Sequence, residues 1–347
     1  LQGVSWLRTG SSSCVLAGGP DSLSRLVFAG FNALGATDPA GCRPFDAERV
    51  GLTLGEGAAF LVLEREGDAI RRDARVLGWL SGWASGAEAH HITHPEPSGE
   101  TAARLIETAL ARARLGPGEI DYVNAHGTGT VHNDAMEALA LARALGAESA
   151  RIRVSSCKGQ IGHTLAAAGA IEAALTVLAV DAGRVPATGG LRTPDPQLAL
   201  RHVSAGGESM AVRAALSNSF GFGGADTVLL FEQSAAPSRI DAPARPVQVV
   251  VSAAASSRQE ELLSEPGSDP LDPSRSRRFD PLSTLVTATA ERVLAEARLP
   301  ASGVGLAVGT AFGNVERSAR FLQRLAGRGA RRVSPAEFPH LLPSAAS

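Results

Sequence analysis

The sequence predicts an α/β protein in which helices cover sheets, and three observations carry that prediction. Short runs rich in Val and Leu alternate along the chain with Ala-rich segments of helical length, the pattern of layered α/β folds. The segment 101–113 sets Leu105, Ile106 and Leu110 on one stripe, with Arg104, Glu107 and Thr108 mostly off it, as a helix packed on a sheet requires. Hydrophobic residues make up 44% of the 347 positions and charged residues 20%, enough apolar material for a sizeable core.

Taken in order, strands are predicted over 14–17, 59–63, 122–124, 214–217 and 227–231, each a short β-branched or aliphatic run bounded by polar or glycine-containing turns. Helices are predicted over 101–113, 134–145 and 165–179. The last of these is so rich in Ala and Gly that close approach to a neighbouring element is the expected use of "AAAGA". After residue 232 the run "QSAAPSRIDAPARP" lacks large apolar residues and reads as a linker over 233–246. A second unit is then expected: a strand at "VQVVVSAA", a helix over 282–297, a strand at "VGLAVGT" and a helix starting at residue 315.

Charge and cysteine content exclude several function classes. A net charge of −2 favours neither nucleic acid nor an anionic membrane as partner. The three cysteines, Cys14, Cys42 and Cys157, lack metal-ligand spacing and are odd in number, which points to a reducing compartment, the cytoplasm, and to no metal. No apolar run is expected to reach the roughly 20 residues of a membrane span. The opening Leu1 and the polar run ending at Ser347 read as cut ends.

Three segments carry residues suited to chemistry. In "VNAHGTGTVHNDAMEA" an apolar strand runs into His126, followed by alternating Gly and Thr; a strand end fixes an imidazole while a glycine turn admits a ligand. By residue type alone His126 is a buried hydrogen-bonded histidine or a catalyst, and the glycines are turn punctuation or a binding loop. "VSSCKGQIGHTLAAAGAIEAAL" places Lys158 and His163 in a loop before an apolar helix that carries Glu172. Glu172 is either a solvated side chain or the buried partner of a cation. In "SNSFGFGGADTVLLFE", Phe220 and Phe222 alternate with glycines between two strands. That loop is a tight hairpin, or one that offers backbone N–H groups to an oxyanion while the rings wall a tunnel.

In this order the segments resemble the β-ketoacyl synthases of the thiolase superfamily. The blocks that carry the resemblance are "CRPFDAERVGLTLGEGAAFLVLE", "HGTGT", "KGQIGHTLAAAGAIE" and "NSFGFGG". The resemblance implies a thiolase-like layered αβαβα fold, present here as incomplete halves. It also implies decarboxylative Claisen condensation of an acyl thioester with malonyl-acyl carrier protein, in fatty acid, aryl polyene or polyketide synthesis. By resemblance His126 and His163 stabilise the enolate left by loss of CO2, and Lys158 orients the site through Glu172. Thr128 and Thr130 hydrogen-bond the phosphopantetheine arm of acyl carrier protein, with no bound cofactor. The backbone N–H of Phe222 completes the oxyanion hole, its ring gates the acyl pocket, and Phe220 lines it. Acyl carrier protein and a ketosynthase-type subunit, in a homo- or heterodimer, are the implied partners. Two positions depart from the family pattern, Val50 before a glycine and Asp226 in place of Asn, and both are expected to tune loop packing rather than remove chemistry.

The stretch "RTGSSSCVLAGGP" sets Cys14 before a glycine pair, as a nucleophile at a turn would sit. The resemblance implies otherwise. Residues 1–232 match the family's C-terminal part from just after the nucleophile, so residues 1–10 are the tail of its helix and Cys14 falls on the following strand, packed among apolar residues and inert. Cys42 and Cys157 also miss the nucleophile's place, so no nucleophile is expected in this chain and the fragment alone is expected to be inactive. Residues 247–347 resemble the N-terminal part of a second such unit through "SRSRRFDPLSTLVTATAERVLAEARL", "VGLAVGTAFGNVERSARFL" and "VSPAEFPHLLPSAAS". A fragment spanning the junction of two tandem units is the simplest reading, with circular permutation behind it. Two rival functions are a biosynthetic thiolase, against which "GQIGH" and "HGTGT" speak, and a non-catalytic partner subunit of the chain-length-factor kind.

Overall fold

A computed structural model describes residues 1–203 and 205–234, three helical positions at 287, 291 and 295, and the helix Val315–Arg328. The chain divides into two compact units, Leu1–Pro243 and Ala244–Ser347. The strand expected at "VQVVVSAA", the body of the helix expected over 282–297 and the strand expected at "VGLAVGT" lie outside the described residues. The helix expected from residue 315 is present as Val315–Arg328.

The first unit opens with helix α1 (Gln2–Thr9), closed by Gly10 in the left-handed region (φ 74°), and strand β1 (Cys14–Asp21). Helix α2 (Arg25–Ala33) follows, capped by the Ser24 hydroxyl, which accepts from the Val27 N–H. Strand β2 (Gly57–Glu64) returns antiparallel to β1, with Leu16 opposite Val62 and Gly18 opposite Phe60. After α3 (Glu66–Arg71) come β3 (Trp79–Ala87) and α4 (Glu100–Ala113). Then follow β4 (Tyr122–Asn124), α5 (Val131–Leu145), β5 (Arg153–Ser155), the short α6 (Lys158–Ile161) and α7 (Ala168–Ala182). The unit ends with β6 (Arg184–Val185), β7 (Arg201–His202), β8 (Glu208–Ser209), β9 (Ala214–Gly221) and β10 (Ala225–Glu232).

The main sheet runs β3-β10-β9-β4-β5-β7. Strands β9, β4, β5 and β7 are parallel, while β10 pairs antiparallel with β3 and β9. Alternate residues of the central strands feed two cores. Val123, Leu216, Val228 and Leu230 pack with α4 and α5 through Leu105, Ile106, Leu110 and Leu141. Tyr122, Ala215 and Phe231 pack on the other face with Ala173, Val177 and Val180 of α7. A sheet covered on both faces needs near-continuous apolar strands, as in "AAL" and "TVLLF". Helix α7 also packs against β1 and β2, so it is sandwiched between two sheets and needs no polar stripe.

That sandwiching corrects one expectation. Residues 165–182 form a stretch long and apolar enough to cross a membrane by length and composition. In this fold it packs between the two sheets and holds Glu172 and Thr176 out of solvent, while Leu178 is half exposed. A second correction concerns Cys14. It lies on β1 as expected, yet it is exposed, because it shares the outer face of the two-stranded β1–β2 sheet with Leu16, Phe60 and Val62, each more than half exposed.

Candidate active site

The segment after β4 turns sharply at Gly127 (φ 37°) and Gly129 (φ 76°). Both glycines are dictated by space as well as by angle. A Cβ on Gly127 would lie 2.6 Å from the Ser156 side chain, and one on Gly129 would lie 2.8 Å from the Gly51 carbonyl. Helix α5 then points two buried carboxylates back at this turn. Glu137 accepts from the His126 N–H at 2.9 Å, the Gly127 N–H at 2.8 Å and the Asn218 amide at 3.0 Å. Asp134 accepts from the Phe45 N–H at 2.7 Å and the Gly129 N–H at 3.2 Å. Burial outweighs the three donors at Glu137 and pushes its carboxyl up to about 7.

His163 is held from below by the other loop. Its N–H donates to Thr53 O at 2.6 Å, its carbonyl accepts from the Gly55 N–H at 3.0 Å, and a β-bridge joins it to Leu54. Leu165, in the left-handed region at φ 50°, donates its N–H to Nδ1 of His163 at 3.1 Å. A bulky residue held there is strained backbone, and here it fixes the ring beside it.

Lys158 and Glu172 form an ion pair beneath the histidines, each 1% exposed. Lys158 Nζ also donates to His126 O at 2.5 Å and contacts Nδ1 of His126 at 3.2 Å. An ammonium and a backbone N–H can only donate, so Nδ1 accepts in both histidines and the proton of each neutral ring sits on Nε2. The two rings meet edge to face at 5.4 Å, so two N–H donors are presented from one buried corner. Burial, then the positive charge of Lys158, holds both imidazoles well below their ordinary pKa, which keeps them neutral. His163 retains a partly exposed edge, whereas His126 is 5% exposed.

The remaining expected site residues gather around this corner in part. Phe220 stacks edgewise on His126 at 5.7 Å. Phe222 lies in the β9–β10 turn and packs on Phe31 of α2 at 5.5 Å, so the glycine-rich segment is also the tight hairpin. Thr128 and Thr130 hydrogen-bond each other at 2.8 Å. Cys42 donates its thiol to Thr128 O at 3.1 Å, and burial pushes it and Cys157 up to about 12, which leaves both inert. Val50 is exposed and Asp226 buried. Among the described residues no cluster of His, Cys, Asp or Glu has metal-binding geometry. Sequence reasoning missed Glu137, Asp134 and Asn218. The available signal was two acidic residues three apart on the apolar face of "NDAMEALALA", a spacing that places both on one side of a helix.

Two neutral imidazoles over a buried Lys–Glu pair, at the strand ends of a helix-covered sheet, are set in the fold of the thiolase-type ketosynthases. Family comparison narrows this. Residues 2–69 match "Beta-ketoacyl synthase, N-terminal domain" and residues 77–192 match "Beta-ketoacyl synthase, C-terminal domain", and the chain belongs to the β-ketoacyl synthase family. It is 40% identical over 234 residues to 3-oxoacyl-[acyl-carrier-protein] synthase 2 of Synechocystis, covering 65% of this chain and 56% of that protein. It is 39% identical over 235 residues to the actinorhodin polyketide putative beta-ketoacyl synthase 1 of Streptomyces coelicolor, covering 66% and 50%. Among solved structures it resembles a Burkholderia phymatum beta-ketoacyl synthase, with TM-score 0.63 and 36% identity over 67% of this chain and 59% of that one. It also resembles a type II polyketide ketosynthase in complex with its acyl-carrier protein, with TM-score 0.64 and 34% identity over 67% and 59%. The chain spans about half the length of the curated relatives it matches.

Proposed function

We propose that these residues form the malonyl-activating part of a condensing enzyme that joins an acyl thioester to malonyl-acyl carrier protein with loss of CO2. The observation that carries this reading is that His126 and His163 meet edge to face at 5.4 Å, each with Nδ1 turned to a donor, which leaves Nε2–H of each ring to donate. Loss of CO2 leaves an enolate oxygen, and preorganised donors in a water-poor corner stabilise it without reorganisation. A neutral imidazole is the better form here, because it donates without offering a proton that would quench the carbanion. Lys158 and Glu172 act as positioning residues, fixing the tautomer of His126. The paired hydroxyls of Thr128 and Thr130 suit a phosphopantetheine amide, and the Phe222 turn suits an oxyanion and acyl gate.

None of the three cysteines fits the nucleophile: two are buried with thiols near 12, and Cys14 faces outward on β1. We therefore assign residues 1–232 to the C-terminal part of one ketosynthase unit, 233–246 to a linker and 247–347 to the N-terminal part of a second, in the cytoplasm. Support for a partner-subunit role comes from two similar solved structures, an ishigamide ketosynthase/chain length factor and a Xenorhabdus doucetiae ketosynthase in complex with its chain length factor. Retention of both histidines with Lys158 favours condensation for the first unit.

The test is CO2 release from malonyl-acyl carrier protein by the full-length protein. His126→Ala and His163→Ala are each expected to lower the rate by about 10²–10³-fold, the usual effect of removing one oxyanion donor. Unchanged release in both variants overturns the reading.

A further inference from the structure

The turn that carries Phe222 is fastened to the segment 88–96 by two backbone hydrogen bonds. Glu88 N–H donates to Gly224 O at 3.0 Å, and Gly223 N–H donates to Ile92 O at 2.9 Å. A third tie has a different character. Asp226 sits one residue into β10, opposite Gly86 of β3 and Phe220 of β9, and is 1% exposed. Its carboxyl and that of Glu88, two residues beyond Gly86 on the neighbouring strand, act directly on each other. Oε2 of Glu88 is occupied by the Glu96 N–H at 2.9 Å. Oε1 of Glu88 and Oδ2 of Asp226 are left buried with no donor.

Two buried acceptors in contact are costly, and a single proton between them supplies the missing donor to both. The surroundings offer no better remedy. The other charged groups acting on the pair are Glu96 and His90 from the loop of Glu88, and Glu137 from α5. Of these only His90 can carry positive charge. Helix α4 meets this corner through Leu105, against Gly86, and β3 contributes the Ser85 hydroxyl, which donates to Asp226 O at 3.0 Å. Strand β9 contributes Phe220.

We infer that Glu88 and Asp226 share one proton, and that this proton clamps the Phe222 turn onto the segment 88–96. Both are positioning residues, and the bearing of the clamp on condensation rests on the function proposed above, whereas the clamp itself does not. Burial first, and the Glu88 charge second, push the Asp226 carboxyl up to about 8, and burial raises Glu88 too. A raised native pKa means that the clamp is complete at low pH and is lost as pH rises through about 8. Above that pH two carboxylates face each other and the turn loosens. Asn at position 226 would donate to Glu88 at every pH.

The experiment is amide hydrogen exchange on the full chain, reading Gly223 and Glu88 relative to their intrinsic rates. Between about pH 6 and about pH 9.5 their protection is expected to fall ~10-fold or more in the parent, and less than ~2-fold in Asp226→Asn. Constant protection in the parent, or an Asp226→Asn profile that follows the parent's, overturns the inference. Should Asp226→Asn not fold, Glu88→Gln makes the same substitution of donor for proton from the other side. Decarboxylation does not enter this readout, so a flat profile in an active enzyme rejects the clamp alone, and a pH-dependent clamp in an enzyme indifferent to His126→Ala rejects the function alone.

Discussion

His126 shows how much chemistry one neighbour can decide. The contact from Lys158 Nζ at 3.2 Å settles which nitrogen bears the proton, and the same charge, added to burial, keeps a second proton off the ring. The native state therefore refuses a proton that the unfolded chain accepts below its ordinary pKa of 6.5. A depressed native pKa gives stability that is full above 6.5 and is lost as pH falls below it. For one such group the slope is about 1.4 kcal/mol per pH unit. Urea unfolding between about pH 7 and about pH 5 should show His126→Gln losing less stability than the parent by about that slope, and parallel curves would refute it. Of this site, the two histidines, Lys158 and Glu172 were legible in the sequence because polar residues stood out against apolar or glycine-rich surroundings. Glu137 and Asp134 were not, since charged residues on a helix usually face water. Only the folding of the "HGTGT" turn back onto α5 shows what they hold.

Elements here are joined backbone to backbone at several points, and the tightest join lies beside Lys158. A Cβ added to Gly159 would stand 1.8 Å from the Gly189 carbonyl oxygen, which no side-chain movement relieves. Gly159→Ala is therefore expected to destabilise the chain by about 2 kcal/mol, in the range of forced overpacking, and to displace Lys158 with it. Thermal unfolding checks the first effect, and an unchanged melting temperature contradicts it. Such joins leave no periodic trace in a sequence; only "GQIGH" and "ATGG" show glycine, without saying what approaches it. Strand β3 (Trp79–Ala87) escaped prediction for a related reason. The strand is interrupted by Gly82 and Gly86, which carry no β signal and exist to let the Ala109 carbonyl and Leu105 come close. The β1–β2 sheet was found at both strands, but the orientation of its faces was not, because Leu16, Phe60 and Val62 look like core residues by type.

At the scale of the molecule, the layering follows from which segments are apolar on all sides and which on one. Helix α4 has one apolar stripe and lies on one sheet, whereas α7 has none and lies between two. That all-round apolarity has a consequence before folding is complete. Before it is packed, the stretch 165–182 has the length and hydropathy of a membrane span by composition alone. Glu172 falls near its middle, where an acidic residue costs about 2.5–3.5 kcal/mol on an insertion scale, Asp being the measured case. The carboxylate that pairs with Lys158 in the folded site is thus expected to oppose insertion of this stretch into a membrane as well. Placed as a test segment in a microsomal insertion assay, 165–182 is expected to stay largely uninserted and its Glu172→Leu version to insert. Equal insertion of the two would leave Glu172 with its role in the folded site alone.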